Sequence, residues 1–206
     1  MIKKFSEINE SKRFFPDPSI VKRYASCIIP LYIEGDFSCD EWLIDEWLEM
    51  NKSKEIAKNA NKVRSIFSLT EDPILIDLFS GSCNLLYHLS NAINPCRTIA
   101  FENDHAIYNL TKHNLEIIDF HCEFYHGDYS ELISKISFPQ KTVPIVLIVS
   151  PPWGKGFTCK NGLDLLATEP PVDEIIRNIY KFFSGRQIIF MIQTHEKIVP
   201  RSVNSI

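Results

Sequence analysis

The sequence predicts an α/β fold, an open and mostly parallel sheet with helices on both faces. Three observations carry that expectation. From Pro73 onward, short apolar runs alternate with longer stretches of helical periodicity, the pattern of right-handed βαβ crossovers. The most apolar run, Val143 to Val149, reads Val-Pro-Ile-Val-Leu-Ile-Val without polar alternation, as a strand buried on both faces requires. Polar residues, glycine or proline close each run, at the carboxyl edge where open α/β sheets gather their ligands.

Composition sets the bounds. At 206 residues and 45% hydrophobic, the chain can bury a substantial core, expected as one domain with an appendage. A formal charge of −4 and a pI near 5.9 do not advertise nucleic-acid binding, which would need a local basic surface. The six cysteines are scattered with no C-x-x-C pair, so His121-Cys122 with His126 lacks a matching second pair and no metal site is expected. No signal-type apolar region and no run approaching a membrane span is present, which points to a cytoplasmic protein with reduced thiols.

The first 70 residues read as a helical N-terminal extension, and 71–206 as the main domain. Residues 1–30 hold six bases against three acids, and residues 31–50 reverse this with seven acids and no base. The acidic stretch predicts a helix opening near Ser38, with Ser38-Cys39-Asp40-Glu41 as a capping box. Trp42, Leu43, Ile44, Trp47 and Leu48 recur there at helical spacing. A second amphipathic helix is expected over 51–68, with Val63, Ile66 and Phe67 on its apolar side.

Then the alternation begins. Ile74 to Phe79 is a buried strand, 80–84 a turn, and Leu85 to Ile93 a helix. Thr98 to Phe101 is a second strand, followed by a helix from His105 to Glu116. Cys122 to Tyr125 is the third strand and the Val143 run the fourth. Proline cannot donate to a ladder, so the fourth strand must end at Ser150. A helix from about Val172 to Phe183 leads into a fifth strand over Arg186 to Gln193.

Four consecutive strands finish in residues suited to one nucleoside ligand. Asp77-x-Phe79-x-Gly81 makes a tight turn into a helix, with Gly81 letting backbone approach a ligand. Glu102 ends the second strand, where a carboxylate can take both ribose hydroxyls. Asp128, after the third, can accept from an adenine amino group. Ser150-Pro151-Pro152-Trp153 follows the fourth. Its prolines hold the Ser150 and Pro151 carbonyls outward beside a flat aromatic face, a cradle for a planar group bearing an amino nitrogen.

Over roughly residues 72–195 the chain resembles the class I S-adenosylmethionine-dependent methyltransferases. Asp77-Leu78-Phe79-Ser80-Gly81 is similar to that family's motif I, Glu102 to its ribose-binding acid and Asp128 to its adenine-edge acid. Ser150-Pro151-Pro152-Trp153-Gly154 looks like motif IV of the amino-methyltransferases. In its Ser-Pro-Pro-Trp-Gly form it resembles the trimethylguanosine synthases, which methylate the exocyclic nitrogen of a cap guanine. Adenine-modifying branches carry Asp or Asn in place of Ser150, and the family has glycine where Cys83 stands.

The resemblance implies a Rossmann-like fold and an N-methyltransferase acting on a base amino group, guanine in RNA before other planar amino substrates. It implies S-adenosylmethionine as cofactor, held by Asp77, Phe79, Gly81, Glu102 and Asp128. Ser150, Pro151 and Trp153 take the catalytic role, and Pro152, Trp153 and Gly154 line the substrate. Two other readings stay open. One is a protein glutamine N-methyltransferase, although those enzymes favour Asn and Tyr at the positions of Ser150 and Trp153. The other is a non-catalytic binding module on the same fold, which Cys83 favours.

The family sheet has seven strands, and only Thr194 to Ile206 follow the fifth here. The sheet is therefore expected to stop after strand five, leaving an apolar edge that needs covering. The N-terminal helices, the tail from Ile198, or a second copy of the chain can cover it. A homodimer through this edge is the expectation.

Overall fold

The computed structural model describes residues 3–4, 38–39, 62–63, 66–117 and 119–206. Five parallel strands form its sheet. They are β1 (Ile74–Asp77), β2 (Arg97–Glu102), β3 (Glu123–His126), β4 (Ile145–Val149) and β5 (Ile188–Ile192), in the spatial order β3-β2-β1-β4-β5. The order reverses beside β1, so the crevice above β1 and β4 is the topological switch point of a Rossmann-like sheet. Asp77 sits level with Ala100 and with Ile148, which sets the ends of the three central strands side by side.

Period-two packing fixes which face each residue covers. On one face Ile74, Ile76, Ile145, Leu147 and Val149 pack with Val172, Ile175 and Ile179 of helix α4 (Val172–Phe182). On the other, Leu75, Val146 and Ile148 pack with Leu86, Leu89 and Ile93 of α1 (Asn84–Ile93) and Leu115 of α2 (His105–Ile117). Every residue of β1 and β4 is buried, as the unbroken apolar runs predicted.

Helix α4 carries Asp173 and Glu174 in its first turn and Lys181 in its last, each sign placed to oppose the helix dipole. Short helices α3 (Tyr129–Leu132) and α5 (Pro200–Asn204), and a two-stranded hairpin of Phe157–Thr158 with Gly162–Leu163, complete the described fold.

Ser38 and Cys39 pair antiparallel with Lys4 and Lys3, a pairing distant in sequence that local reading cannot supply, and the rest of the helix expected to open near Ser38 lies outside the described residues. Val63 packs on the α1 face of the core, but Ile66 and Phe67 are 67% and 44% exposed. They stand where the helix ends and the chain turns through Ser68 at a φ of 51°, so the apolar periodicity runs past the buried surface. The Trp42 and Trp47 helix lies outside the described residues. The tail does not pair with β5: Ile198 bridges to Leu163 of the hairpin, and α5 follows.

Candidate active site

The loop after β1 is built almost entirely from internal hydrogen bonds. Asp77, buried, accepts from the Phe79 amide at 3.1 Å and begins the turn. Ser80 donates both its amide and its hydroxyl to the Phe101 carbonyl, at 2.9 and 2.8 Å. Thr111 of α2 donates its hydroxyl to the Gly81 carbonyl at 2.8 Å. Gly81 takes a φ of +50°, which glycine adopts without the Cβ penalty. Its amide donates to Glu102 Oε2 at 3.0 Å, while Glu102 Oε1 accepts from the Asp104 amide at 2.7 Å.

Glu102 therefore clamps the loop after β1 to the loop after β2. Burial raises its pKa above the ordinary glutamate value, and the Asp104 and Gly81 amides pull it back in part. A carboxylate has about four lone-pair positions, so with two used it can still accept two hydroxyl donors.

Cys83 shows why glycine is the family's choice at its position, and why a cysteine is tolerated. Its φ of 59° is left-handed, a conformation that costs a non-glycine residue about 1–2 kcal/mol. The side chain turns inward, fully buried with Leu75, Leu86 and Leu89, so it does not fill the ligand crevice. Burial pushes its thiol well above the usual cysteine pKa, which makes it an inert packing group.

Asp128 caps α3, its Oδ1 accepting from the Ser130 amide at 2.8 Å. The neighbouring Tyr129 is buried, edge-on to Phe79 at 5.3 Å between ring centroids, with its phenol pushed up to about 12 by burial and the nearby Asp128 and Glu174.

Strand β4 ends at Val149, just before Ser150 and the two prolines. Ser150 is half-buried, and neither its hydroxyl nor the Ser150 and Pro151 carbonyls take a hydrogen bond among the described residues. Trp153 is half-buried, 5.4 Å from the Phe157 ring and edge-on to the His195 ring at 5.8 Å. Phe157 and His195 are themselves 4.7 Å apart. The Pro152 carbonyl accepts from the Glu169 amide at 3.0 Å.

The Asp77–Gly81 loop, Glu102, Asp104, Asp128, Tyr129, Ser150 to Trp153, Phe157, Glu169 and His195 open onto one cavity of about 1080 Å³ along the carboxyl ends of the five strands. Every predicted site residue except Gly154 lines it. Gly154 lies just behind, in the turn that aims Trp153. Sequence reading missed Phe157, Glu169, Gln193 and His195, which also line the cavity. Gln193 and His195 follow β5, and the strand-end rule that found the other acids would have reached them. Phe157 opens the hairpin's first two-residue strand and Glu169 lies on the loop before α4, and no local pattern marks them. Asp77, Glu102, Asp104, Asp128 and Glu169 line the cavity, and no lysine or arginine among the described residues does.

The RNA cap guanine-N2 methyltransferase family matches residues 73–198, more than half of the chain. The chain belongs to that family. No curated protein matches it. Among solved structures, yhhF of Escherichia coli, described as a methyltransferase, is similar at 15% identity and TM-score 0.43, over 66% of this chain and 62% of that one. An rRNA methylase from Streptococcus thermophilus gives 14% and 0.40, over 75% and 77%. Coclaurine N-methyltransferase bound to N-methylheliamine and SAH gives 14% and 0.39, over 66% and 35%. The chain spans 62%, 32% and 64% of the first three solved structures it matches.

Proposed function

We propose that this member of the family is an S-adenosylmethionine-dependent N-methyltransferase acting on the exocyclic amino group of a guanine in RNA. The observation that carries the reading is the single cavity joining the Gly81–Glu102 clamp to the unpaired acceptors at Ser150 and Pro151. Among the described residues its lining has carboxylates and no lysine or arginine, which fits a cationic cofactor.

Glu102 would hold the ribose hydroxyls with its two remaining lone pairs, and Asp128 the adenine amino group with the oxygen not engaged by Ser130. Asp77, Phe79 and the Gly81 loop would border the rest of the cofactor. S-adenosylmethionine, when bound, supplies a methyl group on a sulfonium, a good leaving group. The chain's own work is positioning. An amino nitrogen conjugated to a ring is a poor nucleophile. Acceptors at Ser150 and Pro151 would hold its hydrogens so that the lone pair leaves conjugation and faces the methyl group. Trp153, supported by Phe157 and His195, would stack on the base.

Trp153→Ala tests this arrangement. Base stacking on an aromatic is worth about 1–3 kcal/mol, so methyl transfer to a guanine-capped RNA should fall roughly 5- to 150-fold. Cofactor affinity by calorimetry should stay nearly unchanged. An unaltered transfer rate would return Trp153 to ordinary packing.

Strand β5 is the outer strand of the sheet among the described residues, and Ile189 alone of its residues is buried. Pairing of two copies along this edge is the assembly we propose.

A further inference from the structure

Among the described residues, Glu169 is the acid of the cavity fastened to the Ser150–Trp153 segment, and cofactor binding does not explain its role. Its amide is tied to the Pro152 carbonyl, so its backbone is fixed directly to the Ser150–Trp153 segment. The loop beneath is rigid. Buried Thr168 donates its hydroxyl to the Leu165 and Pro170 carbonyls at 3.1 and 2.9 Å, and Asp164 accepts from the Leu166 amide at 3.1 Å.

The carboxyl group lies over the Cα of Gly154. A Cβ at that residue would fall 2.9 Å from the Glu169 carboxyl carbon and 3.1 and 3.2 Å from its oxygens. Gly154 also has a φ of +46°, so glycine there both makes the turn and leaves room for the carboxylate. Among the described residues, that carboxylate has no hydrogen bond and no ion pair. The rim beside Trp153 thus brings three acceptors together, the Ser150 and Pro151 carbonyls and the exposed Glu169 carboxylate, next to the Ser150 hydroxyl and the Gln193 and His195 side chains.

We propose that Glu169 is a specificity-determining residue that accepts the ring N1–H of guanine while Ser150 and Pro151 hold the adjacent amino group. This rests on the function proposed above. The chemistry of the bases decides it. Guanine alone among the RNA bases carries an amino donor next to a ring N–H donor. The amino groups of adenine and cytosine are flanked by ring nitrogens that are acceptors, and a carboxylate facing such a lone pair repels it. A uracil has the ring N–H but no amino group to methylate. A site whose buried or aligned polar groups are left unpaired by a wrong substrate discriminates strongly against it.

The test uses two cap dinucleotides, one ending in guanine and one in 2,6-diaminopurine. The second keeps the 2-amino group but presents a lone pair at N1. The wild-type protein should prefer guanine. In Glu169→Gln, whose amide can donate to N1, the guanine-to-diaminopurine ratio of kcat/KM should fall about 10- to 100-fold, as expected for exchanging a charge-assisted hydrogen bond. Cofactor affinity, read by calorimetry, should not move. If the wild type methylates guanine and the ratio is the same in the variant, Glu169 does not read N1 and the site's reading survives. If the wild type binds cofactor and methylates neither dinucleotide, the reading of the site falls and the proposal with it.

Discussion

At the scale of single residues, Glu102 connects the fold to the chemistry. Its two oxygens fasten the Gly81 and Asp104 loops, so it is a structural clamp before any ligand arrives. Because burial raises its pKa, the folded state holds its proton more tightly than the unfolded chain does. Its contribution to stability is therefore full below the ordinary glutamate pKa and is lost as pH rises through the raised value. Ligand binding has the opposite sign, since ribose hydroxyls need the ionised form as acceptor. Cofactor affinity should weaken as pH falls through a value above the usual 4.5 of glutamate. Glu102→Gln should remove that dependence and cost about 1–3 kcal/mol of binding at neutral pH. Calorimetry across the pH range checks both; a wild-type affinity that does not change on acidification would separate Glu102 from the ligand. Glu102 was legible in the sequence because it ends a strand. Glu169 was not, because its partner Gly154 becomes its neighbour only through the fold of the loop between them.

At the scale of elements, the end of the sheet opposite the cavity is held by a charge cluster. Arg97 at the start of β2 pairs through two nitrogens with Glu123 at the start of β3, and its third nitrogen donates to the Ser137 carbonyl at 2.6 Å. The Tyr125 hydroxyl donates to the same glutamate at 2.9 Å, and the Phe138 ring lies 5.6 Å from the guanidinium carbon. The Arg97 hydrogen bonds hold Glu123 below its ordinary pKa. Its stabilisation is present above the unfolded glutamate value and is lost as pH falls through the depressed one. The glutamate is 39% exposed, so screening discounts the pair. Glu123→Gln should lower unfolding free energy by about 1–2 kcal/mol at pH 7. The gap to wild type should close in acid; denaturant melts that show an equal gap at both pH values would contradict this. The five strands were legible from apolar runs, with boundaries differing by up to about two residues because apolar residues such as Leu78, Phe79 and Val143 continue past the ladder. The hairpin at Phe157 was not, since two-residue strands carry too little periodicity to register.

At the scale of the whole molecule, the sheet order β3-β2-β1-β4-β5 brings the ends of all five strands to one crevice, and that convergence makes dispersed residues into a site. The sequence carried the convergence because the ends of the first four strands are each marked by an acid, glycine or proline. It did not carry the covering of β5, which depends on contacts made across the chain or between chains. The proposed pairing along β5 predicts a dimer in sedimentation at high micromolar concentration. A monomer whose β5 amides are protected from hydrogen exchange would show that the chain covers its own edge. The proposed methyl transfer to the amino nitrogen of guanine is measured most directly by mass spectrometry of nucleosides digested from guanine-capped RNA after incubation with the protein and isotopically labelled S-adenosylmethionine. Labelled N2-methylguanosine is expected with the wild type, and its loss in Glu102→Ala. Label on another atom or base, or none at all with a protein that binds the cofactor, would contradict it.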